Sequence, residues 1–371
     1  MGEFGMKLAV IFALIGILVL AACSTQTATT EKPADQKVKV GLILTLTGGQ
    51  ANYGEGLRKG IDLALKEVSN VEVIYEDEQS DAKAAVTAFN KLTDIDGVKV
   101  IIGPILSGSV LAVAPLAEQK QVIVLSPTAT AAKISDAGDY TFRIRETATL
   151  HGRKMAEYAI REGWTKGSVL NVNAEAGLSY ASAFKDHFKE MGGTIVIEEM
   201  YEKDAQDMRT QATKITAAKP EFVYFPGFAK DIGMSMKQLR ELGYKGAFIT
   251  TPAMEDKAFF TAAGTAGEGA VYSSPFDPAS VEAKAFIEKY EQTYGTEGFS
   301  WFVANAYDTL KLVSKLVEQC GDNISCIKQQ LYATKNYVGV SGTFSFDEKG
   351  DVNRPLILMQ VKNNSFVSLE E

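Results

Sequence analysis

Short apolar runs alternate with amphipathic stretches along most of the chain. VKVGLILTL, Val38 to Leu46, is nearly continuous in apolar residues, as a strand covered on both faces should be. The next segment, GEGLRKGIDLALKEVSN, puts Leu57, Ile61, Ala64, Leu65 and Val68 on one helical face. VEVIYEDE then reads as a strand and DAKAAVTAFNKLTDI as a helix. VKVIIG, SGSVLAVAPLAEQ and VIVLS continue as strand, helix and strand. Strict alternation of this kind predicts right-handed crossovers and a parallel sheet.

The alternation restarts at TATLHGRKMAEYAIREG, a helix. It runs through SVLNVNA, GLSYASAFKDHFKEMGG, TIVIEEMY, DMRTQATKITAAK, FVYFPG, AKDIGMSMKQLRELG and AFITT. Two doubly wound α/β units in tandem are therefore expected. The remaining residues do not open a third. GAVYSS is a strand, and SVEAKAFIEKYEQTYG, FVANAYDTLKLVSKLVEQC and IKQQLYATK are helices. TFSFDEKGDV and LILMQVKNNSFV read as a hairpin about the DEKGD turn. Helices without their own strands suggest that the chain returns to complete the first unit.

A length of 371 residues suits two domains, and 46% hydrophobic with 23% charged residues is the composition of a folded protein. The formal charge of -8 and the lack of a Lys/Arg cluster argue against a nucleic-acid surface. His151 and His187 are the only histidines. Charged neighbours make both read as solvated surface residues, not as metal ligands or catalysts.

MKLAVIFALIGILVLAACS, from Met6, has one positive charge, then about fifteen apolar residues, then small residues. Met6 reads as the natural start, with Met1 to Gly5 an extension. The apolar run is short for a membrane span and ends in Leu20-Ala21-Ala22-Cys23, which resembles the lipobox of bacterial lipoproteins. That resemblance implies a signal peptide over 1–23, cleavage before Cys23, and lipidation of its thiol. Polar, Thr-rich residues 24–36 read as a flexible tether, which places the folded part outside the cytoplasmic membrane. In that oxidising space Cys320 and Cys326, in CGDNISC, suit a disulfide stapling two helices.

Candidate chemistry gathers at strand ends. In open parallel sheets, ligands sit where the carboxyl ends of strands lead into helices. GPILSGSV lacks the G-x-G-x-x-G spacing and has no Lys, which argues against a dinucleotide or phosphate cradle there. Ser107 and Ser109 instead stand in the first turn of a helix, whose free amides suit a small carboxylate. The next strand ends in Ser126-Pro127-Thr128-Ala129-Thr130, with another hydroxyl and further amides. Ser107 and Thr130 as mere helix caps are the alternative, each stabilising by ~1 kcal/mol.

LTLTGGQANYGEGLRKGIDLAL and IIGPILSGSVLAVAPLAEQKQVIVLSPTAT, in this order and spacing, resemble the type I periplasmic binding proteins for branched-chain amino acids. So do FRIRETATLHGRKMAEY, FVYFPGFAKDIGMSMKQLRELGY and ANAYDTLKL, and the likeness extends over nearly the whole mature sequence. The resemblance implies two Rossmann-like lobes joined by a three-strand hinge, with the chain crossing near Arg145-Glu146, Ser273-Ser274 and Gly339 to Gly342. The lobes would comprise 37–145 with 274–340, and 146–273 with 341–371. It implies a carboxylate held by the hydroxyl of Ser107 and by the hydroxyl and amide of Thr130, with Ala129 between them. The carbonyl of Thr128 would accept from an ammonium, and Tyr53 and Phe228 would form aromatic walls.

Two departures stand out. Where the family carries an acidic residue for the ligand's ammonium, this chain has Pro252, and where it carries an aromatic, this chain has Ala176. Tyr180, one helical turn on, could replace that aromatic. Glu255 and Asp231 read as solvated loop carboxylates. The expected pocket is roomier and less committed to an α-ammonium. The implied role is capture of a branched-chain or related amino acid, or another small carboxylate, for an ABC permease and its ATPase subunits. A sensor of the same fold is the alternative. Catalysis is disfavoured by the absence of G-x-S-x-G and H-E-x-x-H motifs and by the scarcity of histidine. No cofactor is expected.

Overall fold

The computed structural model describes residues 37–296 and 298–369; the signal peptide, the tether and Cys23 lie outside them. The first lobe is built on β1 (Val38–Leu44), β2 (Val71–Asp77), β3 (Val100–Ile102), β4 (Ile123–Ser126) and β5 (Thr141–Arg143). They form a parallel sheet in the order β2-β1-β3-β4-β5. Helices α1 (Ala51–Leu65), α2 (Ala82–Asn90) and α3 (Ser107–Lys120) connect its strands. Asp81 starts α2 by accepting from the amides of Lys83 and Ala84.

The second lobe alternates α4 (Ala148–Arg161), β6 (Lys166–Val172), α5 (Glu175–Glu190), β7 (Thr194–Tyr201) and α6 (Arg209–Ala218). It continues with β8 (Phe222–Phe225), α7 (Ala229–Glu241), β9 (Ala247–Thr250), α8 (Lys257–Ala263) and β10 (Val271–Ser274). The chain then returns to the first lobe as α9 (Val281–Tyr294), α10 (Trp301–Cys320) and α11 (Ile324–Ala333). Helix α10 lies against α1 so closely that a Cβ on Gly60 would stand 2.2 Å from the carbonyl oxygen of Val303. A disulfide joins Cys320 to Cys326 at the turn from α10 to α11.

Strands β11 (Tyr337–Gly339), β12 (Gly342–Phe346) and β13 (Val352–Asn353) make a small antiparallel sheet. β14 (Ile357–Lys362) and β15 (Ser365–Ser368) complete the second-lobe sheet, in the order β15-β14-β10-β9-β8-β6-β7. Two expectations need correction here. The DEKGD turn joins β12 to the two-residue β13, while β14 pairs with β15 about Asn363 and Asn364. The small sheet also stays with the first lobe. Arg143 on β5 forms a buried ion pair with Asp351, and Phe142 packs against Phe346. The third crossing therefore falls at Arg354, not at Gly339 to Gly342.

The crossings are knotted together by buried polar groups. Arg354 Nε donates to Glu146 Oε1, and its Nη1 donates to the carbonyl and hydroxyl of Ser341 at 2.8 and 2.9 Å. Asp308 accepts from the amides of Val340 and Ser341 at 3.0 and 2.7 Å. Asn305 donates to the carbonyls of Pro127 and Ile144. His151, expected on the surface, is fully buried here, its Nδ1 2.8 Å from the hydroxyl of Ser273. Burial, then the charges of Arg145 and Arg354, holds its pKa well below the ordinary value, so it stays neutral. His187 is half-buried beside Glu157 and Glu190. Removing one partner from such a knot would leave an uncompensated charge in low dielectric, a strongly destabilising change.

Candidate functional site: the cleft between the lobes

Each first-lobe strand delivers a loop to the cleft. β3 is followed by Gly103, where a Cβ would stand 2.1 Å from the carbonyl oxygen of Ile43, so only glycine fits. The chain then enters α3, whose first residue is Ser107. Ser107 Oγ accepts from the amides of Thr130 and Ala131 at 3.1 and 3.2 Å. Thr128 Oγ1 donates to the carbonyl of Ile105, and Ser126 Oγ to that of Pro104, both at 2.7 Å. The two strand-end loops are thus sewn to each other.

This stitching changes the expected roles. The amide of Thr130 is engaged by Ser107 Oγ, while the hydroxyl proton of Ser107 is left for another acceptor. The amide of Ala129 donates to Ser126 Oγ, and the Ala129 side chain packs with Val110, Ala131 and Ile134, away from the cavity.

A cavity of about 260 Å³ lies between the lobes. Its first-lobe wall includes Tyr53, Ser107, Ser109, Thr128 and Thr130, and its second-lobe wall Ala176, Tyr180, Gly227 and Phe228. Of the contacts expected from the sequence, Ser107, Thr128, Thr130, Tyr53, Phe228 and Ala176 thus meet around one space. Pro252, like Ala129, is set back from it. Pro252 is buried, its carbonyl accepts from Trp301 Nε1 at 3.0 Å, and its neighbours Thr251 and Ala253 face the cavity instead. Tyr53 stacks edge-on against Phe302 with centroids 4.9 Å apart and tilts against Phe228 at 6.1 Å.

Sequence reasoning missed Trp301, Phe302, Lys203 and the pocket role of Arg145, all of which line the cavity. The available signal was the Trp-Phe pair opening a long apolar helix, and a second arginine in FRIRE where the chain crosses. Glu255 and Asp231, expected in solvent, are both buried. Burial pushes their carboxyls up to about 7. Neither lines this cavity. Asp231 sits on a smaller one beside Tyr53, with Gln50 and Asp204.

The lobes meet across the cleft mouth. Tyr53 OH accepts from the amide of Ala229 at 2.7 Å and donates to the carbonyl of Ala253 at 2.9 Å. Gln50 donates to Asp204 at 2.9 Å, Lys203 to the carbonyl of Ser80, and the amide of Ala132 to Ser179 at 3.2 Å. Lys133 pairs with Glu175 at 3.1 Å. The structure is that of a shut clamp.

Two doubly wound lobes, three crossings and a cavity between strand-end loops define a two-lobed solute-binding protein. The chain belongs to the periplasmic binding protein family, whose model matches residues 37–365. It is 24% identical to a Leu/Ile/Val-binding protein homolog of Brucella melitensis, over 86% of this chain and 89% of the relative. It is 25% identical to the leucine-, isoleucine-, valine-, threonine- and alanine-binding protein of Pseudomonas aeruginosa, over 86% and 88%. Among solved structures, a leucine-binding protein from Thermotoga maritima superposes with a TM-score of 0.85 at 26% identity, covering 90% of this chain and 98% of that one. A solute-binding protein of an ABC transporter from Rhodopseudomonas palustris, in complex with 3,4-dihydroxybenzoic acid, superposes at 0.82 with 25% identity, over 90% and 96%.

Proposed function

We propose that this protein captures a small carboxylate-bearing solute outside the cytoplasmic membrane and presents it, clamped between its lobes, to an ABC importer. The observation that carries this reading is the cavity between the lobes. One wall is a helix N-terminus with hydroxyl groups, which suits an anion, and the rest is mostly apolar and aromatic, which suits an organic body. Ser107 and Thr130 offer hydroxyls to the carboxylate, and Tyr53 and Phe228 flank the body. The relatives' names, which speak of amino acids and of ABC transport, support both the ligand class and the partner.

In this reading the first lobe, residues 37–143 with 275–353, binds first, and the second closes over the solute. Closure is favoured only by contacts that exist in the shut form. The lipid anchor at Cys23 and the tether would keep the protein beside its permease. The test is a thermal-shift screen of amino, oxo and aromatic acids on the protein from Lys37 onward. A solute at a hundred times its Kd stabilises by about 2.7 kcal/mol. Thr130→Val should abolish the shift while leaving the unliganded melting temperature within a few degrees. If no carboxylic acid shifts the transition, the reading fails.

A further inference from the structure

Arg145 stands at the first crossing, 1% exposed, and lines the cavity. Its guanidinium lies 3.8 Å over the ring of Trp301, which holds it flat. Its polar partners are poor for a buried cation. Nη1 reaches Glu146 Oε2 and Nη2 reaches Tyr180 OH only at 3.5 Å, and Nε has no partner among the described residues. Glu146 is already engaged through its other oxygen by Arg354. A further acid within its field, Glu255, has its carboxyl pushed up to about 7 by burial, so it is an incomplete counter-charge at neutral pH. A buried guanidinium with an unused donor is costly unless something else accepts from it.

The other charges on the cavity wall are occupied. Asp81 caps α2, Glu175 pairs with Lys133, and Lys203 donates to Ser80. The described carboxylates on the wall, Asp81 and Glu175, already have partners, and the one fully buried ion there, Arg145, is positive.

We infer that Arg145 is a further ligand-binding residue, and that the cleft prefers a hydroxy- or oxo-acid, whose additional oxygen accepts from this guanidinium, over an α-amino acid of the same skeleton. This rests on the carboxylate-capture reading and narrows it. In a low-dielectric cleft a fixed cation repels an ammonium, while an oxygen acceptor supplies what Nε lacks. The ring of Trp301 beneath it keeps the fork oriented, so little ordering is needed on binding.

The test compares two matched pairs by calorimetry: leucine with 4-methyl-2-oxopentanoate, and benzoate with 3,4-dihydroxybenzoate. The oxygenated member of at least one pair should bind roughly 10- to 100-fold tighter, the range expected of a hydrogen bond to a charged group. Arg145→Met should erase that gap. Arg145→Lys keeps the charge but loses the fork, so it should retain only part of the gap, and it serves if the Met variant does not fold. If acids bind but neither oxygenated acid binds more tightly than its partner, the role of Arg145 is overturned while carboxylate capture stands. An oxygen preference that survives both substitutions would overturn it equally. If none of the four acids binds, the preference inferred for Arg145 falls, while carboxylate capture is decided by the wider thermal-shift screen.

Discussion

Tyr53→Phe isolates the force that closes the clamp. The hydroxyl of Tyr53, carried on the first lobe, accepts a hydrogen bond from the amide of Ala229 and donates one to the carbonyl of Ala253, both on the second. Removing that oxygen leaves two backbone groups unpaired in the shut form, whereas water satisfies them when the cleft opens. A net hydrogen bond is worth about 1 kcal/mol, so the pair amounts to about 2 kcal/mol, or about 30-fold in the ratio of closed to open forms. The ring remains, so the contacts with Phe302 and Phe228 persist and the core is undisturbed. If the unliganded protein is mostly open, affinity for any solute drops by that whole factor. Spin labels on Asn52 and Gln206, at the mouth, would report the open fraction by pulsed dipolar spectroscopy, with calorimetry giving Kd. An unchanged distance distribution together with an unchanged Kd would show that the bridge does not govern closure.

Buried groups and tight contacts give three further expectations. Glu78, Asp231 and Glu255 have carboxyls raised to about 7 by burial, against roughly 4 in an unfolded chain, so between about pH 4 and pH 7 the folded form holds extra protons and stability falls as pH rises across that window, levelling above it. His151, kept neutral when folded, acts in the opposite sense below about 6.5. Three raised carboxyls outweigh one depressed imidazole, so the melting temperature should fall from about pH 5 to about pH 7, and a melting temperature that stays flat or rises across that window would contradict the burial argument. Cys326→Ser should lower stability by about 2 kcal/mol in urea titrations without altering solute affinity, since the bridge lies at the α10–α11 turn. Gly54→Ala would set a Cβ 1.8 Å from the carbonyl of Thr45 and should cost roughly 3 kcal/mol. Gly108→Ala, with nothing within 4 Å of the added carbon, should stay within about 1 kcal/mol of the parent.

Periodicity made the two parallel sheets legible, because strands covered on both faces must be apolar throughout and their crossover helices amphipathic. It did not reveal which lobe owns residues 342–353. The alternation in TFSF marks a strand, but its placement rests on Arg143 finding Asp351 and Phe142 finding Phe346, pairs 208 and 204 residues apart. The strand-end hydroxyls could be found from Ser107 and Thr130 because glycine and serine at the end of an apolar run mark the right loops. Arg145 could not be found in this way. Whether an arginine near a crossing meets solvent, an acid or a cavity depends on what stacks on it, and Trp301 comes 156 positions later. His151, Asp231 and Glu255 misled for a related reason, since polar neighbours along the chain say little about who lies across it.

The knot of Arg354, Glu146 and Asn305 at the crossings also sets a lever arm. Rotation about a pinned axis moves atoms in proportion to their distance from it, so Gln50 and Asp204 at the rim travel far while Arg145 and Trp301 near the axle scarcely stir. Groups that hardly move greet a guest alike whether the jaws gape or meet. Discrimination among guests can thus be settled at the bottom of the bite, and the decision to shut at its edge, by separate sets of residues that selection could tune one at a time.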